Sequence, residues 1–227
     1  MCGRYSFLAP AEAVRNLFKF NGTTPNFPPR YNIAPTQPAP VVILSNDGER
    51  ELILMRWGLV PAWSKGPDSR FSMFNARAET VAKKSAYRVA FQKRRCLVPV
   101  DGFYEWKTNG GAKQPYRISL IDGSVFAFAG LWEHWEDGTG SIIESFTVIT
   151  TSANSLISPI HDRMPVIVPP EAHSQWLAGS KSEELLAPYS ATEIKAYTVD
   201  PYVNDARHDD AKCLAPAPNA AHHDVLN

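Results

Sequence analysis

The chain opens on an alternation of polar and apolar positions. If Cys2–Phe7 is extended, Cys2, Arg4 and Ser6 share one face, and Tyr5 and Phe7 turn the other way into a core. Cys2 and Arg4 are therefore expected to project together. Helical spacing follows Pro10, with Val14, Leu17 and Phe18 on one face. The proline-dense run Asn21–Pro40 predicts an ordered surface loop, neither helix nor central strand. Val41–Leu44 and Glu51–Trp57 predict two strands joined through the turn Asn46-Asp47-Gly48. Gly58–Phe74 reads as irregular, with Trp63 exposed. An extended Asn75–Thr80 puts Asn75, Arg77 and Glu79 on one face and Phe74, Ala76 and Ala78 on the other. Ser85–Arg95 predicts a short helix, with the cations Lys93, Arg94 and Arg95 suited to its C-terminal dipole. Further strands are expected at Leu97–Val100, Phe103–Lys107, Tyr116–Ile121, Val125–Leu131, Phe146–Thr151 and 194–199, with short helices near 170–178 and 182–187. Strands dominate, so the pattern predicts an α+β fold: a mostly antiparallel, strongly bent β-sheet or barrel with several peripheral helices. No composition break divides the chain. One domain is expected over 2–216, with a flexible tail at 217–227 where apolar content drops away.

Composition narrows the class. With 227 residues, 44% hydrophobic and 11% aromatic, the chain suits one sizeable core of an ordinary soluble protein. Its longest apolar runs, such as Val41–Leu44 and Val125–Leu131, are strand-sized, well short of the roughly 20 residues of a membrane-spanning helix. The start lacks the basic-then-apolar pattern of a secretory signal. Cys2, Cys96 and Cys213 are odd in number and far apart, which suggests neither a disulfide framework nor a zinc site and fits a reducing cytoplasm. Net charge is zero but unevenly placed. Residues 1–120 hold 18 Lys/Arg against 8 Asp/Glu, a net +10, and the remainder holds 5 against 15, a net −10. Such asymmetry hints at a nucleic-acid face, unless the halves interleave and cancel.

Candidate chemistry starts at Cys2. A small residue at position 2 favours removal of Met1, which would leave Cys2 with a free α-amine beside a thiol. The amine can condense with an aldehyde to a Schiff base, and the thiol can then close on the imine carbon as a thiazolidine. Both groups are usable near neutrality, titrating near roughly 7.7–8.0 and about 8.5. A small residue opening a strand is the plainer reading of Cys2. Glu105, among the aromatics of Phe103-Tyr104-Glu105-Trp106, is expected to be desolvated and to have a raised pKa, or else to pair with Lys107 as an ordinary strand carboxylate. His161, beside Asp162 and Arg163, is a proton shuttle or a satisfied loop histidine. Asn75 is either a substrate holder or a turn former. Cys96 reads as core. Phosphate-loop and dinucleotide fingerprints are absent, and the dispersed histidines make no metal set, so neither metal nor cofactor is expected.

Together these residues resemble the SOS-response-associated peptidase family, the abasic-site processing proteins. The resemblance runs through Met1-Cys2-Gly3-Arg4-Tyr5, Arg30-Tyr31-Asn32-Ile33-Ala34-Pro35-Thr36, Trp57-Gly58-Leu59-Val60-Pro61 and Asn75-Ala76-Arg77-Ala78-Glu79-Thr80. It continues through Asp101-Gly102-Phe103-Tyr104-Glu105-Trp106-Lys107 and His161-Asp162-Arg163-Met164-Pro165. Val203-Asn204-Asp205 departs from it, since the family more often has a second asparagine there. A monomer in the cytoplasm is expected, and the resemblance implies that it acts on single-stranded DNA, or single-strand–duplex junctions, carrying an abasic site. Cys2 would capture the ring-opened sugar aldehyde as a thiazolidine crosslink. Asn75 would position the amine or sugar, Glu105 would move protons, and His161 would help to open the sugar ring. Arg4, Arg77 and Arg163 would clamp phosphates, while Pro35 and Trp106 would abut the neighbouring bases.

Three rivals stand beside this reading. A chain beginning Met-Cys-Gly can be an N-terminal-nucleophile amidohydrolase acting on a glutamine amide, although the accompanying Asn-Gly-Asp style pattern is missing. Cys2 could instead cleave the bond to Met1, as the peptidase in the family's name suggests. Or the protein could be a DNA sensor that only binds.

Overall fold

The computed structural model describes residues 2–68, 73–179, 183–218 and 225–226. In chain order the elements are β1 (Tyr5–Phe7), α1 (Ala11–Phe18), β2 (Arg30–Ile33), β3 (Pro38–Leu44), β4 (Arg50–Trp57), β5 (Asn75–Arg77), α2 (Arg88–Lys93) and β6 (Arg95–Val100). They continue with β7 (Gly102–Asn109), β8 (Ala112–Leu120), β9 (Phe126–Glu136), β10 (Ile142–Ser152), β11 (Arg163–Pro165), β12 (Ile167–Val168), α3 (His173–Leu177), β13 (Ile194–Thr198) and β14 (Val225–Leu226). Short 3₁₀ turns fill several of the later connections.

The pairings close on themselves. β10 runs beside β4, β4 beside β3, β3 beside β6, β6 beside β9, and β9 returns to β10, which makes a barrel with no free edge inside the ring. Among the described residues only the pairings of β10 with β4 and β5 are parallel; the rest are antiparallel. A second sheet, in the order β14-β13-β8-β7-β1-β2, carries the chain start. Its inward residues meet the barrel in an aromatic cluster. Tyr5 packs edge-on against Trp57 with centroids 5.1 Å apart and against Phe128 at 6.1 Å, and Phe103 meets Phe128 at 5.6 Å. Edge-to-face packing of this kind adds to the burial of these large rings.

The mostly antiparallel, bent sheet predicted by the alternation is present. The proline-dense loop expected over 21–40 is present over 21–29 only. Its second half forms β2, paired to β1, and the start of β3. Pro38 and Pro40 lie where β3 pairs with β4 alone, because β6 joins only at Val42, so their missing N–H groups cost no ladder bond on the open side. α2 is shorter than the expected helix: Arg95 already belongs to β6, with its guanidinium stacked over Phe91 at 4.4 Å and Trp176 at 4.7 Å. Most of the expected tail lies outside the described residues. Within it, Val225–Leu226 pair antiparallel with Ala196–Tyr197 of β13.

The two halves of the chain interleave. β10, from the acidic half, pairs with β4 and β5 of the basic half on one side and with β9 and β11 of its own half on the other, and Arg30–Asp209, Arg94–Glu133 at 2.6 Å and Arg163–Glu79 at 2.5 Å join one half to the other. Much of the charge asymmetry is therefore cancelled locally.

Candidate active site

The site is assembled by strand register. β1 and β7 pair antiparallel, Tyr5 opposite Phe103 and Ser6 opposite Gly102, and the Tyr104 N–H donates to the Arg4 carbonyl at 3.0 Å. Continued by two residues, this register sets Glu105 across from Gly3, beside the chain start. β5 places Asn75 next to Val148 of β10, and the Asn75 Nδ2 donates to the Cys2 carbonyl at 2.7 Å. The Tyr87 hydroxyl donates to the Asn75 carbonyl at 3.3 Å and holds that strand end. Asn75 Oδ1 is buried and has no partner among the described residues. The pairing of β11 with β10 fixes the loop bearing His161 two residues ahead of Arg163.

Burial sets the electrostatics. Cys2 is 0% exposed, its Sγ donates weakly to the Arg4 carbonyl at 3.8 Å, and burial pushes its thiol well above the ordinary range, with the charge of Glu105 adding to the rise. Glu105 is 2% exposed, and burial raises its carboxyl to about 7, with Asp162 adding in the same direction. The expected desolvated carboxylate is thus present. Burial lowers the pKa of His161. Its Nδ1 accepts from the Arg163 N–H at 2.9 Å, which assigns the proton of the neutral ring to Nε2. Asp162 Oδ1 lies 3.0 Å from the same Nδ1, a contact that becomes attractive only when the ring is protonated.

The expectation that Cys2 and Arg4 project together fails. Cys2 precedes the first paired residue and lies in the main core cluster, whereas Arg4 turns toward the other side of the sheet. There its Nη1 donates to Asn32 Oδ1 at 3.1 Å and Val203 O at 3.0 Å, its Nη2 donates to Asn204 O at 3.2 Å, and its Cζ lies 5.9 Å from the Trp106 ring centre. Arg163 is likewise committed, with both Nη atoms on Glu79 and Nη2 also on Thr150 O at 2.5 Å. Of the three expected phosphate ligands only Arg77 is exposed with no hydrogen-bond partner among the described residues; Lys83, Lys84 and Arg88 are exposed on the turn and helix start that follow it.

Pro35 is half-buried on a tight turn. Thr36 there has φ +77°, a strained value for a β-branched residue, and donates its N–H to Trp57 O at 2.7 Å. Pro35 and Thr36 form one wall of a cleft of about 970 Å³, with Arg56, Trp63, Lys65 and Phe74 on its other sides. Trp106 is half-buried, and its Nε1–H donates to Asn204 Oδ1 at 2.7 Å. Asn32 and Asn204 carry no role in the sequence reading. The only signal for Asn32 is a carboxamide set between the apolar residues Tyr31 and Ile33. Among the described residues no three His, Cys, Asp or Glu side chains gather where a metal could be held.

Where the closed, bent barrel meets the second sheet, a buried cysteine is held by an asparagine and neighboured by a carboxyl titrating near neutrality. The chain belongs to the SOS response associated peptidase (SRAP) family, whose model matches residues 1–206. It is 37% identical to the abasic site processing protein YoqW of Bacillus subtilis over 223 residues, which is 94% of this chain and 99% of that protein. It is 34% identical over 224 residues to the abasic site processing protein HMCES of Gallus gallus, covering 83% of this chain and 66% of the relative. A crystal structure of a Bacteroides thetaiotaomicron protein superposes with a TM-score of 0.84 at 28% identity, covering 95% of this chain and all of that one. A Bordetella bronchiseptica protein gives 0.76 at 28% identity over 88% of this chain and all of the other.

Proposed function

We propose that the protein captures abasic sites in single-stranded DNA through Cys2 once Met1 is removed. The observation that carries this reading is the convergence on Cys2 of an asparagine that holds its carbonyl and a carboxyl whose pKa is about 7. The names of its relatives point the same way.

The chemistry is then as follows. As the deoxyribose opens to the aldehyde, the C1′–O bond of the ring breaks, the ring oxygen takes the His161 Nε2 proton, and the C1′ hydroxyl gives its proton back to that nitrogen. The Cys2 amine adds to C1′ and gives a carbinolamine. Glu105 passes the proton of the adding nitrogen to the carbonyl oxygen as the carbinolamine forms, then gives its own carboxyl proton to that hydroxyl, which leaves as water and yields the iminium. A group titrating near 7 can do both at neutral pH. The Cys2 sulfur then adds to the iminium carbon, its proton passes to the surroundings, and the thiazolidine closes. Asn75 holds the Cys2 carbonyl with Nδ2 and offers its vacant Oδ1 to the amine or a sugar hydroxyl.

In this reading loss of Met1 frees the α-amine of Cys2, which lies buried at the edge of the core. A thiol with a strongly raised pKa is poorly suited to attack first. This favours the amine-first crosslink over a thiol-first amidohydrolase or autopeptidase. Arg77 serves phosphate, and Pro35 and Trp106 meet the flanking bases.

The test is a denaturing gel of purified protein with an oligonucleotide bearing one abasic site. A covalent band is expected that is lost in Cys2→Ala. No band from protein whose mass shows Met1 removed overturns the reading, and ammonia release from glutamine would support the amidohydrolase instead.

A further inference from the structure

The segment Val203–Asp209 is tied to the site by an unusually complete set of bonds for a surface loop. Asn32 Nδ2 donates to Val203 O at 3.1 Å, Asp205 O at 3.1 Å and His208 O at 2.9 Å. The Asp209 carboxylate receives the N–H groups of Tyr31 at 2.6 Å and Asn32 at 2.9 Å, along with Arg30 Nε. Arg4 adds its bonds to the carbonyls of Val203 and Asn204. The backbone at Asn204 is thereby fixed against β1 and β2, while the Asn204 side chain itself is exposed.

That side chain has one end committed and one end open. An indole N–H can only donate, so the atom of Asn204 that faces Trp106 Nε1 at 2.7 Å is the carbonyl oxygen. Nδ2 then points its two N–H groups away from the indole, and they have no partner among the described residues. Arg4, 5.9 Å from the ring centre, restrains the same indole from one face. A rigid, half-exposed ring with a pre-oriented amide donor at its edge has the chemistry to take a nucleic-acid base: the ring stacks and the amide meets an acceptor on the base or its phosphate.

We propose that Asn204 is a DNA-binding residue that acts twice, holding the Trp106 indole with its carbonyl oxygen and donating its amide to the strand beside the lesion. The inference rests on the single-stranded DNA reading given above. It adds a recognition element to it and assigns Asn204 no part in the bond-making steps.

The experiment uses the full chain with Met1 removed, an undamaged single-stranded oligonucleotide, the same strand with one abasic site, and the ¹H–¹⁵N resonance of the Trp106 indole. Asn204→Ala is expected to shift that resonance and to weaken binding of the undamaged strand about fivefold, the size of one hydrogen bond near 1 kcal/mol. Asn204→Asp keeps the acceptor and loses the donor. It should leave the resonance near its wild-type position yet still weaken binding, and the loss should persist at high salt, where repulsion from the added charge is screened. Crosslinking at limiting abasic DNA should slow in both variants in step with the lost affinity. Unchanged affinity in both variants overturns the proposal, as does an unmoved resonance in Asn204→Ala. If the wild type binds single strands but forms no crosslink, the abasic-site reading fails, and the resonance and affinity measurements still judge Asn204.

Discussion

The side-chain amide of Asn75 reaches across 73 positions of sequence to hold the carbonyl of Cys2 at 2.7 Å. Among the described residues it is the one hydrogen bond from another strand to the residue carrying the proposed reagent. Replacing Asn75 with Leu removes the bond and leaves the carbonyl without its donor. Crosslinking to an abasic oligonucleotide should slow about tenfold, in line with roughly 1.4 kcal/mol for an interaction of this kind, while binding to undamaged single strands stays near wild type. A gel time course beside an affinity measurement checks both halves.

Glu105 links activity and stability with opposite signs. Its folded pKa of about 7 lies above the ordinary carboxylate value near 4.3, so the folded state keeps a proton that the unfolded chain has released. The group's contribution is complete below that ordinary value and is lost as pH rises through 7. Glu105→Gln should therefore be the more stable protein at pH 8, by up to about 3 kcal/mol, with the difference vanishing near pH 4. The same variant should crosslink more slowly and lose the inflection near pH 7 in the rate. Denaturant melts at the two pH values and a pH–rate profile test the pair of outcomes.

Arg163 is held by Glu79, and the Arg77 side chain nearby is exposed with no hydrogen-bond partner among the described residues. Arg77→Ala should weaken binding to single strands of any sequence and reduce the salt slope by about 1. Glu79→Gln should do the reverse, because it removes a carboxylate that competes with phosphate for Arg163. Affinities measured across a salt series distinguish them; equal slopes for Arg77→Ala and wild type would remove Arg77 from the DNA contact.

Acid sensitivity should come in part from His173, far from the proposed chemistry. The ring is 1% exposed and stacked on Phe18 at 5.1 Å, and burial lowers its pKa to about 4. The unfolded histidine titrates near 6.5, so its contribution is whole above that value and is lost as pH falls through 4, by about 3 kcal/mol in total. His173→Phe should flatten the pH dependence of stability between 6.5 and 4, as read from thermal melts.

Residue type and local spacing carried the chemistry and most of the strands. The alternation of Tyr5 and Phe7, the helical face of Val14 and Phe18, and the aromatic setting of Glu105 are properties of neighbours in sequence, because side-chain direction follows the backbone within a few residues. The proposed pairing of an amine and a thiol on adjacent carbons of Cys2 is equally local. Partners are not local, and these only the tertiary structure decided. Arg4 and Arg163 read alike as free phosphate ligands until acceptors 28, 200 and 84 positions away consumed them. The prolines at 38 and 40 became part of a strand because the neighbouring strand starts later, and Asn204 acquired its place only when the chain's last third folded back over Trp106. Whether a polar group is available or spent depends on what long-range packing brings within about 3 Å of it. One-dimensional order does not contain that distance.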